Sequence, residues 1–98
     1  MNMQAMLKQA QAMQRDMLNI KKEIDAKNFT GESSLVKITV KGTKEVSKVE
    51  IRDKENLEVD DLEMLEDMIM VALNDALAKV DAETEKKMGK YSSIPGLF

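Results

Sequence analysis

Apolar residues recur every three or four positions through the first quarter of the chain and form one continuous seam. The seam consists of Met3, Met6, Ala10, Met13, Met17, Ile20 and Ile24. This is the spacing of positions a and d in a heptad repeat, so it predicts a helix from about Asn2 to Ala26 that packs lengthwise against another helix. Lys8, Arg15 and Lys22 all lie at position f, opposite the seam. The helix therefore has a packing edge and a cationic edge, which is typical of a protein that binds rather than one that catalyses.

The hydrophobic period falls to two residues in the next part of the chain. Apolar residues alternate with Lys and Thr from Leu35 to Lys41, and this alternation predicts a half-buried strand. Residues 42–45 form a loop of hairpin length, and residues 46–51 form the returning strand. The connecting loop is too short for a parallel crossover, so the two strands are expected to be antiparallel.

Two further features concern this hairpin. The three-residue step from Val46 to Val49 breaks the alternation and fits either a bulge or a later start of the strand. Before the hairpin, a turn-forming stretch interrupts the helical period, and Phe29 and Thr30 within it favour an additional short strand.

A second helix is predicted after a polar linker at residues 53–58. Asp60 and Glu63 have the spacing of a capping box with acidic residues, which suits a helix N-terminus, and Gly89 marks the end of the helix. Residues 68–73 are all apolar, so this part of the helix is expected to be covered on several sides. One hairpin covers only one side, and the pattern therefore predicts a second subunit.

Composition argues against catalysis. The 98 residues suit a single domain, which we assign to residues 1–90, with residues 91–98 as a C-terminal tail. The chain has no Cys and no His, and so lacks the usual nucleophilic thiol, general base and metal ligand. Acidic residues cluster between Glu55 and Asp67, but their pattern fits a solvated helix start better than a calcium loop. We expect no enzyme, no metal or cofactor site and no small-molecule substrate.

The sequence also predicts where the protein is found. No stretch approaches the ~18 consecutive apolar residues of a membrane span. Lys8 and Arg15 interrupt the apolar N-terminal region before any signal-peptide core. We expect a cytoplasmic protein that does not bind membranes.

Charge is distributed unevenly along the chain, although the net charge is only −3. Residues 1–54 contain eleven Lys and Arg against seven Asp and Glu, or +4, whereas residues 55–98 contain four against eleven, or −7. An acidic total is a poor indicator of nucleic-acid binding, so that function requires a local cationic patch.

Such a patch is predicted at one end of the helix pair. The helices flank the hairpin, so we expect them to pack antiparallel, with the start of the first beside the end of the second. Residues 1–15 contain two cations and no acid, and residues 79–90 add four cations against three acids. The acidic cluster lies at the opposite end, near the sheet. A phosphate backbone can therefore meet the positive tip without facing the net negative charge.

Seven segments, in their order along the chain, resemble one known family. They are MLKQAQAMQ at 6–14, TGE at 30–32, LVKITVKG at 35–42, VEI at 49–51, EMLED at 63–67, NDAL at 74–77 and IPGLF at 94–98. Together they look like the YbaB/EbfC family of bacterial nucleoid-associated proteins, and the likeness extends over nearly the whole chain.

This resemblance implies an α+β protomer of order α-β-β-β-α, with a small antiparallel sheet and two long helices that form a projecting arm. It also implies a tweezer-like homodimer that binds double-stranded DNA near its arm tips, resides in the nucleoid and affects DNA conformation and gene expression. The implied DNA-binding residues are Lys8, Arg15, Lys79, Lys86, Lys87 and Lys90. Lys21 and Lys22 are weaker candidates because they lie toward the base of the arm.

A rival hypothesis comes from another class of protein. The nine Met residues supply adaptable apolar surface, as expected of a dimeric adaptor whose Met-rich helical arms clasp a partner protein. Electrophoretic retardation of DNA, set against co-purification of a protein partner, separates the two hypotheses.

Overall fold

The computed structural model describes residues 2–91 and confirms the predicted order of elements. The chain forms α1 (Met3–Ala26), β1 (Asn28–Ser33), β2 (Val36–Lys41), β3 (Val46–Ile51) and α2 (Leu62–Met88), with 3-10 turns at Lys54–Asn56, Val59–Asp61 and Gly89–Tyr91. The molecule is elongated, measuring 70 × 21 × 14 Å. Tyr91, the first residue of the predicted tail, is buried in the core, and the rest of that tail, including the segment at 94–98, lies outside the described residues.

The three strands form one antiparallel sheet in the order β1-β2-β3. The short strand predicted around Phe29 and Thr30 is confirmed as β1. The turn between β1 and β2 contains Ser34 with φ of 41°, the positive φ that two-residue hairpin turns require. Of the two explanations for the step from Val46 to Val49, the bulge is the correct one, because the β2–β3 register shifts between Thr39 and Val40.

The core lies between one face of the sheet and the middle of α2. Val36, Ile38 and Val40 of β2 are almost fully buried. A Cβ atom at Gly31 of β1 would overlap the backbone carbonyl oxygen of Ala72 and the amide nitrogen of Ala76. Glycine at this position therefore lets the backbone of α2 approach the strand closely.

Part of the apolar surface stays uncovered in the protomer. Val46 and Val49 of β3 are 44% and 51% exposed, although they pair with the buried residues of β2. Met70 and Val71 of α2 are more than half exposed. The apolar middle of α2 is therefore covered on one side only within a single chain.

The start of α2 differs from the prediction. The carboxylate of Asp61 accepts a hydrogen bond of 3.0 Å from the backbone N–H of Glu58, so the reciprocal capping pair is Glu58 and Asp61. The predicted pair of Asp60 and Glu63 was wrong. A 3-10 turn at Val59–Asp61 precedes the helix, and this turn moves the capping interaction toward the N-terminus.

The two helices pair in antiparallel fashion, as predicted, but over a shorter length. Lys27 pairs with Glu83 at 3.3 Å, and Lys90 pairs with Asp16 at 2.7 Å. The end of α2 therefore lies beside the middle of α1, and the prediction that it lies beside the start of α1 was wrong. The reason is that most of α2 packs against the sheet, so only its last turns are available to pair with α1.

Candidate nucleic-acid interface

The first part of α1 projects beyond the end of α2 as a single helix. Residues 2–12, which we call the free arm, are all exposed, whereas Ile20 and Ile24 further along the same seam are buried. Asn2 caps the arm, since its side chain accepts a hydrogen bond of 2.9 Å from the N–H of Gln4. The distal tip predicted from the sequence is thus one helix thick.

Two of the predicted DNA-binding residues lie on or next to the free arm. Lys8 and Arg15 are exposed, and neither forms an ion pair with any residue in the range 2–91. They are seven residues apart, or about 10 Å along a helix axis. No acidic residue occurs before Asp16. The arm therefore presents positive charge without local compensation.

Lys86 and Lys87 lie in the last turn of α2. Cations at this position interact favourably with the negative end of the helix dipole. Both are exposed, and neither forms an ion pair within the described part of the chain. Lys86 lines a shallow groove of about 340 Å³ together with Phe29, Lys79 and Glu83. The structure therefore places these two residues near the helix junction and not at the distal tip.

Lys79 is held against the sheet. Its ammonium group donates a hydrogen bond of 2.7 Å to the carbonyl oxygen of Thr30 and lies 3.4 Å from the carboxylate of Asp75. The side chain therefore joins α2 to β1 at the sheet, well away from the free arm.

Lys90 belongs to a cluster that fastens the end of α2 to α1. The carboxylate of Asp16 accepts hydrogen bonds from the Lys90 ammonium, at 2.7 Å, and from the Tyr91 hydroxyl. The ammonium nitrogen also lies 5.2 Å from the centre of the Tyr91 ring, within cation–π range. We call Asp16, Lys90 and Tyr91 the junction cluster. It neutralises Lys90, so this lysine adds less positive charge than its position suggests.

The junction cluster perturbs the pKa of each of its members. Hydrogen bonds from Lys90 and Tyr91 lower the pKa of Asp16. The hydrogen bond to Asp16 raises the pKa of Lys90 and likewise that of Tyr91. Sequence patterns gave no signal for this cluster, because its partners are 74 and 75 positions apart.

A second group of cations lies on the sheet face opposite α2. Val36, Ile38 and Val40 point toward α2, so the alternating positions of the sheet point away from it. The cations of interest there are Lys37, Lys48, Arg52 and Lys54, which we call the outer sheet patch. They line a groove of about 500 Å³. The sequence pattern did not identify these four residues as a group, although the alternation of Lys with apolar residues in β2 was a signal for Lys37.

Residues 2–91 hold neither a cluster of metal-ligating side chains nor a membrane-spanning helix. No group of acidic side chains there is arranged to hold a metal ion. No helix in the same range is both long and apolar enough to cross a lipid bilayer.

Comparison with known proteins identifies the family. The YbaB/EbfC DNA-binding family matches residues 1–94. A nucleoid-associated protein of Ligilactobacillus salivarius is 41% identical over 99 residues, covering 99% of this chain and 95% of its own length. Another, CA_C0126 of Clostridium acetobutylicum, is 42% identical over 101 residues, covering 98% of this chain and 89% of its own.

A solved structure has the same fold. The crystal structure of HP0035, an uncharacterised protein of Helicobacter pylori, superposes with a TM-score of 0.76 and 18% sequence identity, covering 93% of this chain and 97% of that one. The α-β-β-β-α order, the extended shape and the family match agree with one another. This chain is a member of the YbaB/EbfC DNA-binding family.

Proposed function

We propose that this protein is a nucleoid-associated protein that binds duplex DNA as a homodimer and thereby alters DNA conformation or gene expression. The observation that carries the proposal is the uncompensated charge of α1, where Lys8 and Arg15 are exposed and no acidic residue precedes Asp16. A phosphate backbone is the ligand whose charge best matches a helix of this kind. The names of the relatives agree with this assignment.

The candidate residues contribute unequally in this proposal. Lys8, Arg15, Lys86 and Lys87 have no ion-pair partner within residues 2–91, so their charge is available to phosphate. Lys79 and Lys90 are each held by an acidic residue and would have to exchange it for phosphate. The first four residues are therefore the principal contacts, and the last two are secondary.

A second copy of the chain would cover the exposed apolar residues. Val46 and Val49 of β3, with Met70 and Val71 of α2, are between 44% and 56% exposed, and exposed apolar surface of this kind is typical of an interface. Dimerisation would bring two free arms into one particle and would double the number of cations available to a duplex. The nucleoid is the location that follows from this activity.

The experiment is a mobility shift over several duplexes and salt concentrations, with the mass of the particle measured by light scattering. About four to six phosphate contacts per dimer predict that log affinity falls with log salt at a slope near −4 to −5. The double variant Lys8→Glu with Lys87→Glu should lose retardation while keeping its dimer mass and helix content. Binding that survives this double change, or that does not respond to salt, contradicts the proposal.

The chain offers a matched control on the same helix. Lys22→Glu makes the same charge change as Lys8→Glu at the same heptad position, but two heptads nearer the sheet. We expect Lys8→Glu to weaken binding more than Lys22→Glu does. Equal losses would mean that the total charge of the protein determines affinity, and that the position of the charge along α1 does not.

One observation favours the adaptor function as a second candidate. Met3, Met6 and Leu7 on the free arm are 77%, 52% and 57% exposed, which leaves an apolar helix face for a partner protein. In that case, Met3→Gln with Met6→Gln would abolish co-purification of the partner, whereas the lysine variants would keep it. Failure to retard DNA in ~150 mM salt, together with co-purification of a partner, would favour the adaptor.

A further inference from the structure

The outer sheet patch carries more positive charge than the residues around it neutralise. Lys48 pairs with Glu50 at 3.1 Å, and Arg52 pairs with Glu32 at 2.9 Å. These pairs occupy the carboxylates of Glu50 and Glu32.

The other two cations of the patch, Lys37 and Lys54, have no ion-pair partner anywhere in residues 2–91. Among the groove-lining cations and their ion-pair partners, four cations therefore face two acids.

The state of Glu50 agrees with a positive local field. Its hydrogen bond from Lys48, and the charge of that residue, lower the pKa of the Glu50 carboxyl, and the charges of Lys37 and Arg52 lower it further. The electrostatic fields of the cations around the groove therefore overlap within its volume of about 500 Å³. A surface that stabilises one carboxylate in this way also suits the oxygens of a phosphodiester.

The patch is separated from the free arm along the molecule. Lys44, in the turn between β2 and β3, pairs with Asp81 of α2 at 2.8 Å, so this end of the hairpin faces the helix junction. Lys37 and Arg52 lie toward the opposite end of their strands. Since the molecule is 70 Å long, DNA bound at the arm and DNA bound at the patch would occupy different places.

We propose that the outer sheet patch is a second surface that contacts the phosphate backbone of duplex DNA, so that one particle links two duplexes. This inference rests on the proposed function and extends it, because it assigns DNA contact to residues outside the arm. The competing explanation is that these lysines only form a solvated polar face of the sheet.

The test is a capture experiment with the full chain. One duplex is immobilised, protein is added, and retention of a second, labelled duplex is measured. We expect the wild-type protein to retain the labelled duplex, and Lys37→Gln with Lys54→Gln to reduce its retention by about fivefold or more. The same variant should retard a single duplex nearly as well as the wild type, because the arm is unchanged.

Two further variants control for charge and for folding. Lys41→Gln with Lys44→Gln removes the same charge from the same hairpin, but at cations already paired with Glu45 and Asp81, so it should retain the labelled duplex. The charge-preserving variant Lys37→Arg with Lys54→Arg should also retain it. Loss of capture in the Lys41/Lys44 variant would overturn the proposal, because the charge of the whole hairpin and not of the patch would then support capture. Loss of capture in the arginine variant would overturn it as well, because the positive charge at these two positions would then not be sufficient.

The remaining outcomes distinguish the two proposals. If Lys37→Gln with Lys54→Gln captures as well as the wild type, two arms or aggregation link the duplexes, and the second surface is overturned. The same conclusion follows if the wild type retards one duplex but captures no other. A wild-type protein that retards no duplex at all would instead overturn the proposed function itself.

Discussion

The two halves of α1 share one sequence pattern but have different environments. Met3 and Met6 of the first half are 77% and 52% exposed, whereas Ile20 and Ile24 of the second half are 8% and 4% exposed. All four lie on the same heptad seam. A heptad pattern therefore states which edge of a helix is able to pack, but not how much of that edge finds a partner within the chain.

The difference between the halves comes from the rest of the fold. The helix α2 crosses the sheet first and reaches α1 only with its last turns, where the junction cluster holds it beside Asp16. The first half of α1 consequently has little packing contact within residues 2–91. It is also the half that carries positive charge without acidic residues. The change from exposed to packed and the change from positive to mixed charge therefore occur at about the same point of α1.

The comparison predicts very different costs for truncating the two halves. Ile24→Ala should lower the free energy of unfolding by about 2–5 kcal/mol, as is usual when a large buried side chain is removed. Met6→Ala should change it by less than about 0.5 kcal/mol, because exposed positions contribute little and both residues favour helices. Urea unfolding followed by circular dichroism measures both. A large loss for Met6→Ala would mean that the free arm is buried in the assembled protein.

Most of the fold could be predicted from the sequence because it depends on local periodicity. The seam of α1, the alternation in β2 and the apolar middle of α2 each place an element within a few residues of its observed bounds. Even the bulge in β3 was indicated by the step from Val46 to Val49.

The details that determine the site depend on contacts between distant parts of the chain. The length over which α1 and α2 overlap depends on how much of α2 packs on the sheet, and the hydrophobic periodicity does not encode that length. Gly31 looked like a turn former but is a point where the strand approaches the backbone of α2 closely. Lys90 looked like a free cation, but a tertiary contact supplies it with an acidic partner, Asp16. Lys79 also looked free, but it pairs with Asp75 one turn earlier in α2 and donates a hydrogen bond to Thr30 of β1.

The junction cluster, which fastens the end of α2 to the middle of α1, can be tested by titration. The pKa of Asp16 is lowered, so its contribution to stability is complete above its ordinary pKa of 3.8 and is lost as pH falls through the lowered value. The pKa of Tyr91 is raised, so its contribution is complete below 10.0 and is lost as pH rises through the raised value. The contacts of Asp16 and Tyr91 should therefore both be intact between about pH 4 and pH 10.

Tyr91 provides the measurement, because the chain has one Tyr and no Trp. Tyrosinate absorbance at high pH thus reports this residue alone. Asp16→Asn removes the carboxylate charge and should move the ionisation midpoint down toward the ordinary value. Asp25→Asn, at a carboxylate of α1 that pairs with Lys21 at 2.9 Å, should leave the midpoint unchanged. An unchanged midpoint in Asp16→Asn would mean that the junction cluster does not hold the end of α2 in solution.

The smallest expected effect tests whether the free arm is independent of the core. Asn2→Ala removes the capping hydrogen bond to Gln4, and loss of an N-cap costs about 1 kcal/mol of local helix stability. Amide hydrogen exchange should therefore become faster in the first turns of α1. The urea midpoint should stay the same, because an exposed arm opens without unfolding the sheet or α2. Asn19→Ala, which changes an exposed asparagine within α1, should neither speed this exchange nor lower the urea midpoint, because Ala favours a helix more than Asn does. If Asn2→Ala lowers the urea midpoint instead, the two halves of α1 unfold as one unit, and the division between a free half and a packed half fails.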